Sequence, residues 1–154
     1  MYADGHSAPR TAGRLPDPRS RPDFYEGVPG KRFGAWIADT VLVVLVCVLL
    51  LPFTAFLGLF FFPVMMLIVG FFYRWSTLAG GSATWGMRLM GIELREADGH
   101  RFSNGTALAH TLGYSVSIAV PVLQVISIVL MLITDRKQGL TDHIIGTAAL
   151  NKPV

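Results

Sequence analysis

The stretch TVLVVLVCVLLLPFTAFLGLFFFPVMMLIVGFFY, residues 40–73, contains no charged side chain. One helical crossing of a bilayer takes about 20 apolar residues. An ordinary buried helix needs no charge-free run of this length, so the stretch holds most of two spans. Pro52 and Gly58 bracket a short turn inside it. Working outward, the first span covers about residues 33–53 and is broken only by Asp39. The second covers about 59–78 and ends on Tyr73, Arg74 and Trp75, an aromatic and basic end suited to a membrane interface. The two form a helical hairpin with both ends on one side of the bilayer.

Charge gives that side a direction. The 13 Lys and Arg fall in three groups. Six precede the first span (Arg10, Arg14, Arg19, Arg21, Lys31, Arg32), four follow the second (Arg74, Arg88, Arg95, Arg101), and three lie at the end (Arg136, Lys137, Lys152). The turn between the spans has none. The positive-inside rule therefore places the N-terminus in the cytoplasm, as expected of a multi-pass protein of the plasma (inner) membrane. The net charge of +3 reads as topology and not as a nucleic-acid surface, since basic and aromatic residues do not interleave.

Residues 1–29 are rich in Pro, Gly, Arg and Ser and read as a disordered, basic cytoplasmic leader, too poor in apolar residues to offset its ordering entropy. Residues 30–150 form the membrane domain. Within it, 79–106 read as an interfacial segment, with a short strand or turn closed by Asp98-Gly99, a turn dipeptide. A third apolar segment covers 107–133 and carries Pro121. As one kinked span it would put the C-terminus outside. As a broken pair pivoting at Pro121 it would return the chain to the cytoplasm, which the basic residues after it favour. The predicted class is thus an all-α integral membrane protein: a two-helix hairpin plus a third kinked or broken transmembrane segment, with a disordered leader.

Few residues could carry chemistry. Asp39 lies seven residues, two helical turns, after Arg32, so the two share a face. An acid near a helix centre costs about 2.5–3.5 kcal/mol on insertion scales, so it calls for a partner or a role. Lys31, Arg32 and Arg74 are the expected partners, and the alternatives are an ion or proton site and a contact with another subunit. Residues 135–147 bring Asp135, Arg136, Lys137, Asp142 and His143 together as a charged interfacial end. Asp142 and His143 alone make a poor metal site. His110 reads as an interfacial hydrogen-bonding residue and the lone Cys47 as a small buried hydrophobe. Neither a metal nor a cofactor is expected, and no nucleophile–base pair suggests an enzyme.

Three motifs in order carry a resemblance. Arg32-Phe-Gly-Ala-Trp-Ile-Ala-Asp39 is similar to the first-span signature of the RDD family, which is named for one arginine and two aspartates. The glycine-rich stretch at 81–94, with Gly86 and Gly91, resembles the family's middle motif. Leu140-Thr-Asp142-His-Ile-Ile-Gly146-Thr147 resembles its last, with Asp142 as the second aspartate. The chain departs from the pattern at Thr141, where a histidine is common, and at Trp85, where a proline is. The resemblance implies that Arg32, Asp39 and Asp142 are the motif residues, with Gly86, Gly91, Gly146 and Thr147 in support; Arg74 joins the supporting residues as a candidate partner of Asp39. It implies a small membrane protein without a shared activity. The expected function is a non-enzymatic membrane subunit or assembly factor, with the lipid bilayer, other membrane subunits or a second copy of the chain as partners. The alternative is an oligomeric cation/proton transporter of the sodium/proton antiport type, with Asp39 as its ion or proton site.

Overall fold

A computed structural model describes residues 14–152. Two long helices, α1 (Val28–Leu50) and α2 (Phe62–Gly81), form the hairpin. Each has a proline in its first turn, where a missing N–H costs nothing. Pro52 stops α1, since proline cannot donate to continue the helix, and two short 3₁₀ turns bridge to α2. Both helices are long and apolar enough to cross a membrane. Large apolar side chains such as Leu45, Leu49, Phe60 and Leu67 stand exposed around them, as a lipid solvent allows.

After α2 comes α3 (Trp85–Leu89), a five-residue helix, then strand β1 (Ile92–Arg95). Of the interfacial apolar residues, Met87, Ile92 and Leu94 turn into the core while Leu89 faces out. Helices α4 (Asn104–Ala119) and α5 (Pro121–Ile133) follow, their axes turned by 116° at the break between them. Val120 is extended, φ −116° and ψ 99°, the conformation a following proline imposes. At about 1.5 Å per residue, α4 and α5 reach roughly 24 Å and 20 Å, each short of a hydrocarbon core of roughly 30 Å. The segment expected at 107–133 is thus a broken pair, and the single through-running helix is not formed.

The chain closes with α6 (Leu140–Ile145) and β2 (Ala148–Asn151). β2 pairs antiparallel with β1, Ile92 opposite Asn151 and Arg95 opposite Ala148. The Lys31 ammonium at the start of α1 donates to Asn151 Oδ1 at 2.7 Å. The start of α1, the end of α2 and the C-terminal strand therefore meet at one end of the molecule. The described part of the leader is also ordered there, contrary to the disorder expected over 1–29; residues 1–13 lie outside the described residues. Leu15 N–H donates to the Ala97 carbonyl at 3.1 Å, and Leu15 and Tyr25 are buried against Ala148 and Leu150. These apolar contacts come from sequence-distant β2, so local composition did not announce them.

Candidate functional site

Asp39 faces α3 from one turn past Ala35, and three neutral donors hold it. Its Oδ1 accepts from the Tyr73 hydroxyl at 2.6 Å and the Gly86 N–H at 2.8 Å, and its Oδ2 accepts from the Thr84 hydroxyl at 2.6 Å. Thr84 is the N-cap of α3 and also accepts the Met87 N–H at 3.2 Å, so one hydroxyl starts the helix and binds the acid. Gly86 permits the approach: a Cβ there would lie 2.2 Å from the Ala35 carbonyl oxygen.

This corrects the expected pairing of Asp39 with a basic residue. None of Lys31, Arg32 and Arg74 forms a salt bridge with it among the described residues. Arg32 reaches instead to Asp142, Nη1 to Oδ2 at 2.6 Å. Asp142 takes three further donors: His110 Nε2 at 3.0 Å, the Thr147 hydroxyl at 2.9 Å and the Gly139 N–H at 3.0 Å. The last is an N3 acid reaching back to its helix N-cap. Gly146, at φ +75°, ends α6 in the left-handed region and turns Thr147 back under Asp142. Gly91 carries the chain from α3 into β1 and accepts the Lys152 N–H on its carbonyl at 2.9 Å.

Asp142 is therefore not a solvated interfacial charge; it is fully buried. Its neighbour His143 faces outward, so the two do not converge on one point. Burial alone would raise the Asp142 pKa. The Arg32 guanidinium, then the bonds from His110 and Gly139, outweigh it and hold the carboxyl far below the usual carboxylate range. A depressed folded-state pKa adds stability that is complete above the unfolded value of about 4 and fades as pH falls below it. Thermal unfolding of the purified protein should show a midpoint that drops from pH 4 downward. An Asp142→Asn variant should lack that dependence, and an equally steep drop in the variant would assign it to other acids.

Arg74 makes no salt bridge among the described residues, and its Nε has no hydrogen-bond partner. Its guanidinium lies over the Tyr114 ring at 3.9 Å from the centroid, a cation–π contact. Arg32, Asp39, Arg74, His110 and Asp142 all line one cavity of about 520 Å³ between α1, α2, α4, α5 and α6. The motif residues thus share a cavity although the two acids do not share partners. Sequence reasoning missed Tyr73, Thr84 and Tyr114 as partners, and nothing in their local sequence marks them. It read His110 as interfacial, whereas the ring is buried on Asp142.

Comparison with known families gives a match of the RDD family model to residues 27–146, which include Asp39, Asp142 and all of their side-chain and backbone donors except Thr147. No curated protein and no solved structure matches the chain.

Proposed function

Because the chain belongs to the RDD family and is a small membrane protein of that family, we propose that it works as a non-enzymatic membrane subunit or assembly factor. One observation carries this reading: every carboxylate oxygen of the two motif acids already accepts from a donor of its own chain, three donors on Asp39 and four on Asp142. A cation site needs oxygens open to ligation, and these are engaged in fastening α1 to α3 and α6. On this reading the chain lies in the plasma (inner) membrane with its N-terminus and the β1–β2 end in the cytoplasm, where the basic flanks favour it. Its partners are other membrane subunits or a second copy.

Pull-down of the full chain from native membranes, with sizing in lipid nanodiscs, tests this reading. A stable partner or a defined oligomer is expected. A well-folded monomer with no companion would overturn it.

The shared cavity favours a second reading, an oligomeric cation/proton exchanger with Asp39 as its ion site. Asp39→Asn separates the two. The amide places an N–H₂ where one oxygen accepted, so a donor on Tyr73, Thr84 or Gly86 loses its acceptor or must reverse. A cost of about 1–3 kcal/mol is expected, seen as a lower unfolding midpoint and lower protein level. In proteoliposomes the subunit reading expects no sodium-dependent proton movement from wild type or variant. Flux in wild type that Asp39→Asn abolishes, with its fold intact, would establish the exchanger.

A further inference from the structure

We infer that the cavity beside Arg74 holds the phosphate headgroup of an anionic phospholipid drawn from the surrounding bilayer. Arg74 is 8% exposed, its Nε is unpartnered, and it lines the cavity. A buried guanidinium without an acceptor is costly, and the planar fork of arginine fits phosphate oxygens in pairs. Tyr114 covers a face of the guanidinium without accepting its N–H groups. Of the other charges in the cavity, Arg32 is paired with Asp142, and Asp39 keeps its charge but is held by three neutral donors and makes no salt bridge with Arg74, which leaves Arg74 as the charged group in want of a hydrogen-bond acceptor. His110 Nδ1, the second buried side-chain polar atom without a partner among the described residues, belongs to another residue of the same wall.

The rest of the wall selects a lipid over a free anion. Phe33, Trp36, Ile128 and Leu132 line the cavity and are also exposed on the outside of the helices, at 63%, 43%, 45% and 59%. The polar end is therefore continuous with an apolar surface that faces acyl chains. A headgroup at Arg74 would lay its chain along these side chains, whereas inorganic phosphate would gain nothing from them. The site is independent of the subunit proposal, whose test reads protein partners and not lipid.

Full-length protein would be reconstituted in nanodiscs of equal phosphatidylglycerol and phosphatidylcholine, released, and examined by native mass spectrometry. Retention of phosphatidylglycerol at about tenfold over phosphatidylcholine is expected, with most of that preference lost in Arg74→Gln and part of it kept in Arg74→Lys. Ile128→Trp supplies a variant that leaves every charge in place, on a half-exposed position that tolerates bulk. It should reduce lipid retention several-fold at unchanged thermal stability. A parallel titration of detergent-solubilised protein with inorganic phosphate separates the two sources of the anion. Stabilisation by millimolar phosphate that Ile128→Trp leaves intact, without selective lipid retention, would overturn the lipid assignment in favour of a soluble anion. Equal retention of both lipids, unchanged in Arg74→Gln and Ile128→Trp, would overturn the site altogether.

Discussion

Asp142→Ala should cost about 3–5 kcal/mol, the range for removing one partner of a buried ion pair. The carboxylate gathers four donors from four parts of the chain: Arg32 of α1, His110 of α4, and Gly139 and Thr147 at the two ends of α6. Alanine leaves all four without an acceptor, and the Arg32 side chain, 14% exposed, cannot move far into water. At about 2–4 °C per kcal/mol for a chain of this size, the unfolding midpoint should fall by about 6–20 °C. A cycle distinguishes charge from hydrogen bonding. Asp142→Asn keeps an oxygen for His110, Gly139 or Thr147 but strands Arg32. Combining it with Arg32→Met removes the stranded charge and should recover part of the loss. If the double variant is no more stable than Asp142→Asn alone, the ion pair is not the source of the effect.

How much of this was legible beforehand depended on whether the signal was local. The hairpin followed from a charge-free run and a proline, both read within one window, and the break of the third segment was marked by Pro121. The common face of Arg32 and Asp39 followed from helical spacing, and both do line one cavity. Their partners did not follow. Opposite charges suggested that Asp39 pairs with arginine, yet a carboxylate is satisfied equally by hydroxyls and by a backbone N–H. Those donors lie 34, 45 and 47 residues away. A backbone N–H has no residue type to betray it. The order within residues 14–29 was hidden for a related reason, because Leu15 and Tyr25 are buried by β2 from the far end of the chain. Asp142 looked solvated because its stretch is rich in charge, but of the charged residues there only Asp142 turns fully inward.

The same logic makes Gly86 the most sensitive position in the glycine-rich middle motif. A Cβ on Gly86 would sit 2.2 Å from the Ala35 carbonyl oxygen, 2.9 Å from its carbon and 2.8 Å from Asp39 Oδ1. Two of these atoms are backbone of a long helix, so no rotamer change relieves the clash. To fit even alanine, α3 must move off α1. That lengthens the Gly86 N–H bond to Asp39, now 2.8 Å, and draws Thr84 away from the same carboxylate. Overpacking costs about 1–3 kcal/mol, and each weakened hydrogen bond to a charged group adds about 1.5–3 kcal/mol. Gly86→Ala should therefore destabilise by at least about 3 kcal/mol. Gly80→Ala is the matched control: it sits in α2, a Cβ there meets nothing within 4 Å, and helix propensity alone favours alanine by about 1 kcal/mol. Thermal unfolding of the two variants side by side should give shifts of opposite sign. A Gly86→Ala protein as stable as wild type would mean that α1 and α3 do not meet this closely, and that the acceptor bonds holding Asp39 are not what joins them.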